Sequence, residues 1–193
     1  MYSPPAAPPP RKGLPGWAIA VIALAVSVVV ILPVFAALAI YGTRRYLAAA
    51  KTSEAKNSIG AIARNAAAAY EQETASGEHA LCASAQPVPV VVPSGRKYMP
   101  STLRGADFDQ GDALTGWKCL RFSIASPVYY QYHYNVGGHW IAPANAPGPD
   151  GFEAAAQGDI NANGALSTFA RTGQVVGGQL KLATQIWVED EFE

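Results

Sequence analysis

A run of 24 residues, 17–40, contains no Asp, Glu, Lys or Arg. At about 1.5 Å per residue it forms a helix of about 36 Å, and the hydrocarbon core of a bilayer is about 30 Å thick. Fourteen of its residues are Leu, Ile, Val or Phe. A cleaved signal peptide has a shorter apolar region, and membrane helices tolerate an internal proline such as Pro33. The run therefore predicts a transmembrane helix over residues 16–42, with the lipid bilayer as partner.

The residues around this run bear on its orientation. Residues 1–15 are rich in proline, which predicts an extended, disordered leader. Basic residues flank the run on both sides, two before it and four after it: Arg11, Lys12, Arg44, Arg45, Lys51 and Lys56. Taken alone, these charges place the C-terminal part in the cytoplasm by the positive-inside rule. Long domains nevertheless translocate despite flanking charge, so charge alone does not decide the orientation.

The two cysteines favour the opposite orientation. Cys82 and Cys119 form neither a CxxC pair nor a zinc-ligand spacing with histidine. Two isolated cysteines beyond a span suggest one disulfide, which stabilises by about 4 kcal/mol in the chain-entropy model. Two buried free thiols are the alternative, and it stays open here. Because disulfides persist outside the cytosol, we expect the N-terminus inside and residues 77–193 in the periplasm or outside the cell.

Residues 43–76 are predicted to continue the apolar run as an amphipathic helix. The segment is rich in alanine, the best helix former. Apolar side chains recur there at spacings of three and four and form one stripe: Ile59, Ile62, Ala63, Ala66 and Tyr70. Gly77 is a plausible stop. We expect the stripe to pack on a sheet, while the alanines at 48–50 allow a second helix to approach closely.

Residues 77–193 have the pattern of an antiparallel sheet, because prolines and glycines separate short apolar runs. Apolar and polar residues alternate best at 117–125, which predicts a half-buried strand. Further strands are predicted at 128–135, 139–142, 152–157 and 180–188. Residues 88–92 are predicted as either an edge strand or an extended loop, because of the prolines in and around them. A long helix followed by antiparallel strands predicts an α+β fold, with the sheet on one face of the helix.

The residues after the uncharged run resemble a known family. Segment 46–56 reads YLAAAKTSEAK. It is similar to the helix of type IV pilins and the related pseudopilins of type II secretion, in which an aromatic residue and an AKxSEAK-like sequence follow the apolar part. The resemblance is specific over residues 19–73 and architectural beyond them. It implies a four-stranded antiparallel sheet on the helix, one disulfide, and assembly with other pilin-like subunits or with the pilus or secretion machinery of a bacterial inner membrane.

Several positions depart from the family pattern. When Tyr46 is aligned with the family's aromatic residue, Leu24 stands where the family carries a glutamate. Ile19 and Ala20 then flank the point of leader cleavage, and the family's frequent helix proline falls on Tyr41. The resemblance therefore implies a pilin-like protein that lacks the charged pair between the N-terminal amine of one subunit and the buried glutamate of another.

Asp159, Asn161 and Asn163 precede Gly164 and match the first half of an EF-hand loop, which has oxygen ligands at alternate positions. The second half does not match, since Ala170 stands in place of the bidentate glutamate. The two interpretations are a weak calcium site and a plain Asp/Asn/Gly turn, and the turn is favoured. No other cofactor is predicted.

No catalytic residue is predicted. Ser53 and Lys56 have the Ser-x-x-Lys spacing of some acyl-transfer enzymes, but the motifs that accompany it there are absent. The histidines show no zinc-protease spacing; they are His79, His133 and His139. The acidic loop that holds Asp107, Asp109 and Asp112 is more typical of a solvated turn than of a second site for a cation.

Two functional hypotheses remain. A formal net charge of zero offers no basic surface for nucleic acid. The tyrosines at 129–134 suit an adhesive face, but they suit cross-strand packing better. One hypothesis is a pilin-like structural membrane protein that acts by helix packing and not by catalysis. The other is a single-pass membrane-anchored ectodomain that binds a ligand or partner.

Overall fold

Helix α1, Gly16–Glu71, is 56 residues long and contains Pro33. The computed structural model describes residues 13, 15–72, 77–141 and 147–193. The predicted leader therefore lies almost wholly outside the described residues, as do positions 73–76 of the predicted helix. The chain divides into two compact units, one ending at Tyr46 and one running Leu47–Glu193. We term the second unit the head.

The head contains an antiparallel sheet of six strands where the family resemblance implied four. The strands are β1 (Ala85–Val88), β2 (Gln131–Val136), β3 (Gly151–Gly158), β4 (Ser167–Val176), β5 (Gln179–Leu182) and β6 (Trp187–Glu189). Strands β1 to β5 lie side by side in chain order. Strand β4 pairs with β6 along its first half and with β5 along its second half. A long apolar helix with an antiparallel sheet confirms the predicted α+β class.

One face of the sheet packs on the part of α1 that belongs to the head. The buried residues of α1 recur at spacings of three and four: Thr52, Ala55, Ile59, Gly60, Ile62, Ala63, Ala66 and Tyr70. All five residues of the predicted stripe are among them. The apolar members that are most deeply buried share one core with Tyr130, Tyr132, Phe152 and Phe169. Ala154 and Ala156 of β3 lie in this core together with the small side chains of α1.

Strands β3 and β4 also approach closely, because a glycine makes room for an aromatic ring. Phe152 pairs with Gly173 across the two strands. A Cβ atom on Gly173 would lie 2.4 Å from Cε1 of Phe152. The ring of Phe152 is fully buried. Strand β4 was not predicted from the sequence, and this glycine is one reason, since glycine is depleted in strands.

The strand predicted at 117–125 is wrong. A short helix α2, Gly116–Cys119, begins there, and Gly116 has a positive φ of 67°. The ring of Trp117 packs edge-on against Phe108, and its indole N–H donates to the carbonyl oxygen of Gln86 at 2.8 Å. The alternation of apolar and polar residues at 117–125 arises because a tight turn places Trp117, Leu120 and Phe122 in one core.

The other strand predictions had mixed outcomes. The strand at 152–157 is confirmed as β3, and the one at 128–135 is confirmed from Gln131 onward. The segment 180–188 holds two strands, β5 and β6, instead of one. The predicted strand at 139–142 is wrong for its described residues 139–141. The edge strand β1 ends at Val88, where the predicted edge was expected to begin.

Candidate membrane anchor and head surfaces

The apolar segment of α1, residues 17–40, presents large side chains in all directions. Leu24, Val29 and Phe35 are 67%, 70% and 65% exposed. None of its most apolar window of 18 residues is buried. The hydroxyl of Ser27 donates to the carbonyl oxygen of Ala23 at 2.8 Å, so it needs no water. Helix α1 is therefore long and apolar enough to span a membrane, by length and composition.

The segment that resembles pilins ties α1 to the sheet. Oε1 of Glu54 accepts the backbone N–H of Tyr129 at 2.9 Å and the hydroxyl of Tyr132 at 3.4 Å. The ammonium of Lys56 donates to the carboxylate of Glu191 near the C-terminus. Sequence reasoning missed Glu54, although a carboxylate beside the buried stripe was a usable signal. These polar contacts fix the start of β2 and the C-terminal tail against one face of α1.

The Ser-x-x-Lys spacing brings no base to the serine. Oγ of Ser53 donates to the carbonyl oxygen of Ala49 at 2.9 Å. Lys56 forms its ion pair with Glu191 instead. The serine hydroxyl is therefore held by its own helix, and the arrangement resembles ordinary helix-surface hydrogen bonding.

A disulfide joins Cys82 to Cys119, with a Cα–Cα distance of 5.8 Å. The bond links the segment before β1 to the end of α2 across 37 positions of sequence. Cys82 is 1% exposed. The two cysteines thus close a loop that contains β1 and the acidic loop.

The three candidate calcium ligands form a turn after β3. Oδ2 of Asp159 accepts the hydroxyl of Ser94 at 2.7 Å and the N–H of Gly164 at 3.1 Å. These hydrogen bonds, led by that from Ser94, hold the pKa of Asp159 below its usual range. The side-chain oxygens of Asn161 and Asn163 accept backbone N–H groups at 3.0 and 2.7 Å.

Hydrogen bonds within the turn thus engage the side-chain oxygens that a calcium ion would need as ligands. The amide groups of Asn161 and Asn163 donate to the carboxylate of Glu193 at 2.8 and 2.6 Å. Within the described ranges, no group of three or more His, Cys, Asp or Glu is placed to hold a metal ion. The donor set fits a turn better than a cation site.

The carboxylates of the acidic loop likewise bind groups of the protein. Asp107 begins a single 3-10 turn, Asp107–Asp109, and accepts the hydroxyl of Tyr98 at 2.7 Å. The backbone N–H of Gly105 binds Asp109 and lowers the pKa of that carboxyl, and Lys118 lies 3.2 Å from it. The backbone N–H of Leu114 lowers the pKa of Asp112 in the same way. Each carboxylate stabilises the loop that carries it.

The predicted tyrosine strand divides between packing and surface. Tyr130, Tyr132 and Tyr134 are buried, and burial raises the pKa of each hydroxyl. Tyr129 is only partly buried, and the ammonium groups of Lys51 and Lys97 both lie over its ring. Trp140 is 60% exposed and packs on His133, with ring centroids 5.2 Å apart.

Two buried ionisable residues lie on the other sheet face, and sequence reasoning did not single out either as buried. His133 is 2% exposed, and burial lowers its pKa to about 4. Neither ring nitrogen has a hydrogen-bond partner among the described residues. Oε1 of Glu153 accepts the backbone N–H groups of Trp140 and Ile141 at 2.9 and 3.0 Å. Burial raises the pKa of Glu153.

A cavity of about 560 Å³ lies between the end of α1 and the disulfide. Both cysteines line it, and so do the apolar side chains of Leu81 and Leu114. Lys118 and Arg121 add positive charge to its wall. Arg121 donates to the side-chain oxygen of Gln72 at 3.1 Å.

No protein-family model, no curated protein and no solved structure matches the chain. The apolar segment is exposed along its length. In the head, the carboxylates of Asp107 and Asp159 hold their own loops together, whereas the buried hydroxyls of Tyr130 and Tyr134 have no hydrogen-bond partner among the described residues.

Proposed function

We propose that the chain is a pilin-like structural membrane protein, a subunit or accessory component of a type IV pilus or secretion pseudopilus. Residues 17–40 of α1 anchor it once in a bacterial inner membrane, and the head lies in the periplasm or outside the cell. It acts by packing helices against lipid and against other pilin-like subunits. No catalytic residue is part of the proposal.

One observation carries the proposal: the apolar segment of α1 is exposed. Large aliphatic side chains such as Val29 lose hydrophobic stabilisation in water, and a helix that is apolar all round needs lipid or protein around it. Fourteen Leu, Ile, Val or Phe residues, at about 0.3–0.6 kcal/mol each, favour insertion by about 4–8 kcal/mol.

The head supports the structural and extracytoplasmic parts of the proposal. The helix packs its buried stripe on an antiparallel sheet, the architecture that the resemblance at 46–56 implies. The disulfide between Cys82 and Cys119 suits an oxidising compartment. Because Leu24 replaces the family's glutamate, assembly would depend on apolar contacts alone.

The proposal is tested with the full-length chain in bacterial membranes. We expect it to stay with the membrane after alkaline extraction, and we expect protease added from the outer side to digest the head. A cysteine at Ala36→Cys, in the exposed part of α1, should cross-link neighbouring copies into a ladder. Extraction into the soluble fraction would contradict anchoring, and an anchored chain that never cross-links would contradict assembly.

The cavity beside the disulfide favours a second candidate function, an anchored ectodomain that binds a ligand. Its wall combines apolar side chains with Lys118, Arg121 and Glu78, which suits a small amphiphile that carries charge. In that case the chain would be membrane-bound without forming ladders. A Leu114→Trp change, which fills the cavity from an exposed position, would then abolish ligand protection against thermal unfolding.

A further inference from the structure

The loop 89–98 carries two valines at its tip, Val90 and Val91, which are 80% and 77% exposed. We term this pair the valine tip. Pro89 precedes it and Pro93 follows soon after. Prolines have no backbone N–H, so the loop is a poor template for adding a strand from a protein partner. The exposed surface of the tip is therefore its aliphatic side chains, which gain by leaving water.

The loop is held firmly at three points on one end of the sheet. The side-chain amide of Gln131 donates to the carbonyl oxygens of Pro89 and Val90 at 2.7 and 2.8 Å. The N–H of Gly95 donates to the carbonyl oxygen of Asp159 at 2.7 Å. The N–H of Tyr98 donates to Val128 at 2.8 Å. The tip is thus presented on a fixed support.

Two lysines lie beside the loop at the same end of the sheet, where the acidic segment 189–193 at the end of β6 also lies. The ammonium groups of Lys51 and Lys97 lie 4.5 and 4.6 Å from the ring centroid of Tyr129. Arg96 is exposed beside Lys97. Neither lysine belongs to the two ion pairs formed among the described residues.

Three of the carboxylates at this end are engaged with other groups of the protein, while Glu189 and Asp190 are exposed. Glu54 accepts the N–H of Tyr129, Asp159 accepts the hydroxyl of Ser94, and Glu191 pairs with Lys56. The lysines can attract negative charge from outside the protein, such as the phosphates of lipid headgroups.

Lys51 also places this surface at the end of the head where α1 enters it. The head begins at Leu47, only four positions earlier. In the proposed function the chain passes from lipid into the head at this end. An aliphatic tip beside lysines is the composition of segments that lie in the membrane interface.

We propose that the valine tip and the lysines around Tyr129 form a second membrane contact, one that binds the surface of a bilayer rich in anionic lipid. Val90 and Val91 enter the interface, and Lys51 and Lys97 bind lipid phosphates. The contact rests on the proposed anchoring by α1. It would hold the head on the lipid surface before assembly and would compete with release of the head from the membrane.

The test uses full-length chain reconstituted in vesicles of phosphatidylethanolamine and phosphatidylglycerol. An environment-sensitive fluorophore is attached at Val91→Cys, and lipids spin-labelled on their acyl chains serve as quenchers. The matched control is Val176→Cys. Val176 is an exposed valine at the last position of β4, and the valine tip is supported at the end of the sheet where β4 begins. A third label, at Val29→Cys, reports on the anchor. Non-reducing gels verify that the native disulfide stays intact in each variant.

We expect several-fold stronger quenching at position 91 than at position 176, and strong quenching at position 29. Lys97→Gln, or replacement of phosphatidylglycerol by phosphatidylcholine, should reduce quenching at position 91 at least by half. Lys181→Gln, an exposed lysine on β5, should leave it unchanged.

Each of the other outcomes overturns one part of the proposal. Quenching at 29 with none at 91 overturns the membrane contact and leaves the anchor standing. No quenching at 29 overturns the anchor and the contact with it. Equal quenching at 91 in phosphatidylcholine overturns the role of the lysines. Protection of position 91 that needs high protein density, without quenching by lipid, would assign the tip to a second copy of the chain.

Discussion

At the scale of single residues, the head stores two ionisable side chains on the sheet face opposite α1. His133 pairs with Ala155 across β2 and β3, and Glu153 is two residues from Ala155. Side chains alternate between the faces of a sheet, so His133 and Glu153 share the face that does not meet α1. Glu153 supports the described backbone at 140–141, and Trp140 packs on His133. These residues make the stability of the head depend on pH.

We expect acid to destabilise the head through His133. Its folded pKa of about 4 lies below the unfolded value of 6.5, so the unfolded state binds more protons between these values. The free energy of unfolding therefore has its full value above pH 6.5 and decreases as the pH falls toward 4. The loss approaches about 3 kcal/mol, at 1.36 kcal/mol per pKa unit. Urea unfolding of the full-length chain in detergent, followed by fluorescence at several pH values, measures it.

The matched variants are His133→Phe and His139→Phe. Phenylalanine at position 133 keeps a ring against Trp140 but does not titrate. The free energy of unfolding of the His133→Phe variant should therefore fall less than that of the wild type between pH 6.5 and 4. His139 is exposed, and its charge lowers the pKa of Glu153, so its replacement should change only the part of the pH dependence that comes from Glu153. Glu153 has the opposite effect on the pH dependence. Because its pKa is raised in the folded protein, the free energy of unfolding decreases as the pH rises through that pKa. An unchanged acid slope in His133→Phe would show that another group is responsible.

At the scale of elements, the periodicity of apolar residues predicted which residues lie on a long regular surface. The helix stripe through Ile59 and Tyr70 follows from spacing, because it buries one continuous face of α1. The strand at 152–157 is buried on both faces, so it has no such alternation. The strand predicted at 117–125 failed because Trp117 and Phe122 reach one core from a turn. Strand β4 escaped prediction because Gly173 and Arg171 interrupt its apolar pattern, and the reason for that glycine lies on β3.

We expect Gly173→Ala to destabilise the head by about 1–3 kcal/mol, the usual cost of overpacking. The new methyl group would overlap the ring of Phe152, which is fully buried and has no free side to move to. Gly138→Ala is the control, since the nearest atom to its Cβ is 3.9 Å away. It should change the free energy of unfolding by about 0.5 kcal/mol or less. Equal effects of the two variants in urea unfolding would contradict the close packing of β3 and β4.

At the scale of the whole molecule, the sequence predicted the long apolar helix better than the surfaces of the head. An uncharged run carries its own length and composition, so no folded context is needed to recognise it. The valine tip and the setting of Lys97 depend on contacts with Gln131 and Tyr129, which are far away in sequence. Such contacts leave no periodic signal. The Asp159 segment shows the converse, since a ligand-like spacing forms the hydrogen bonds of a turn.

The disulfide should contribute to the stability of the whole head. Its loop spans 37 positions, and removing it should lower the free energy of unfolding by about 4 kcal/mol in the chain-entropy model. Cys82→Ser combined with Cys119→Ser tests this by urea unfolding. Reduced wild-type protein is the matched control and should show the same loss. Equal stability of the oxidised and reduced forms would contradict a stabilising role.

Two adjacent acidic residues in the middle of the anchor should prevent stable insertion. Val29→Asp with Val30→Asp costs about 2.5–3.5 kcal/mol per residue at the bilayer centre, which offsets most of the gain of about 4–8 kcal/mol from the apolar residues. We expect the variant to lose its resistance to alkaline extraction. The control combines Val176→Asp with Val188→Asp, two exposed positions of the head, and it should stay in the membrane fraction. If the anchor variant also stayed there while the control did, some contact other than residues 17–40 would have to hold the protein. The label at Val91→Cys would then show whether that contact is the valine tip.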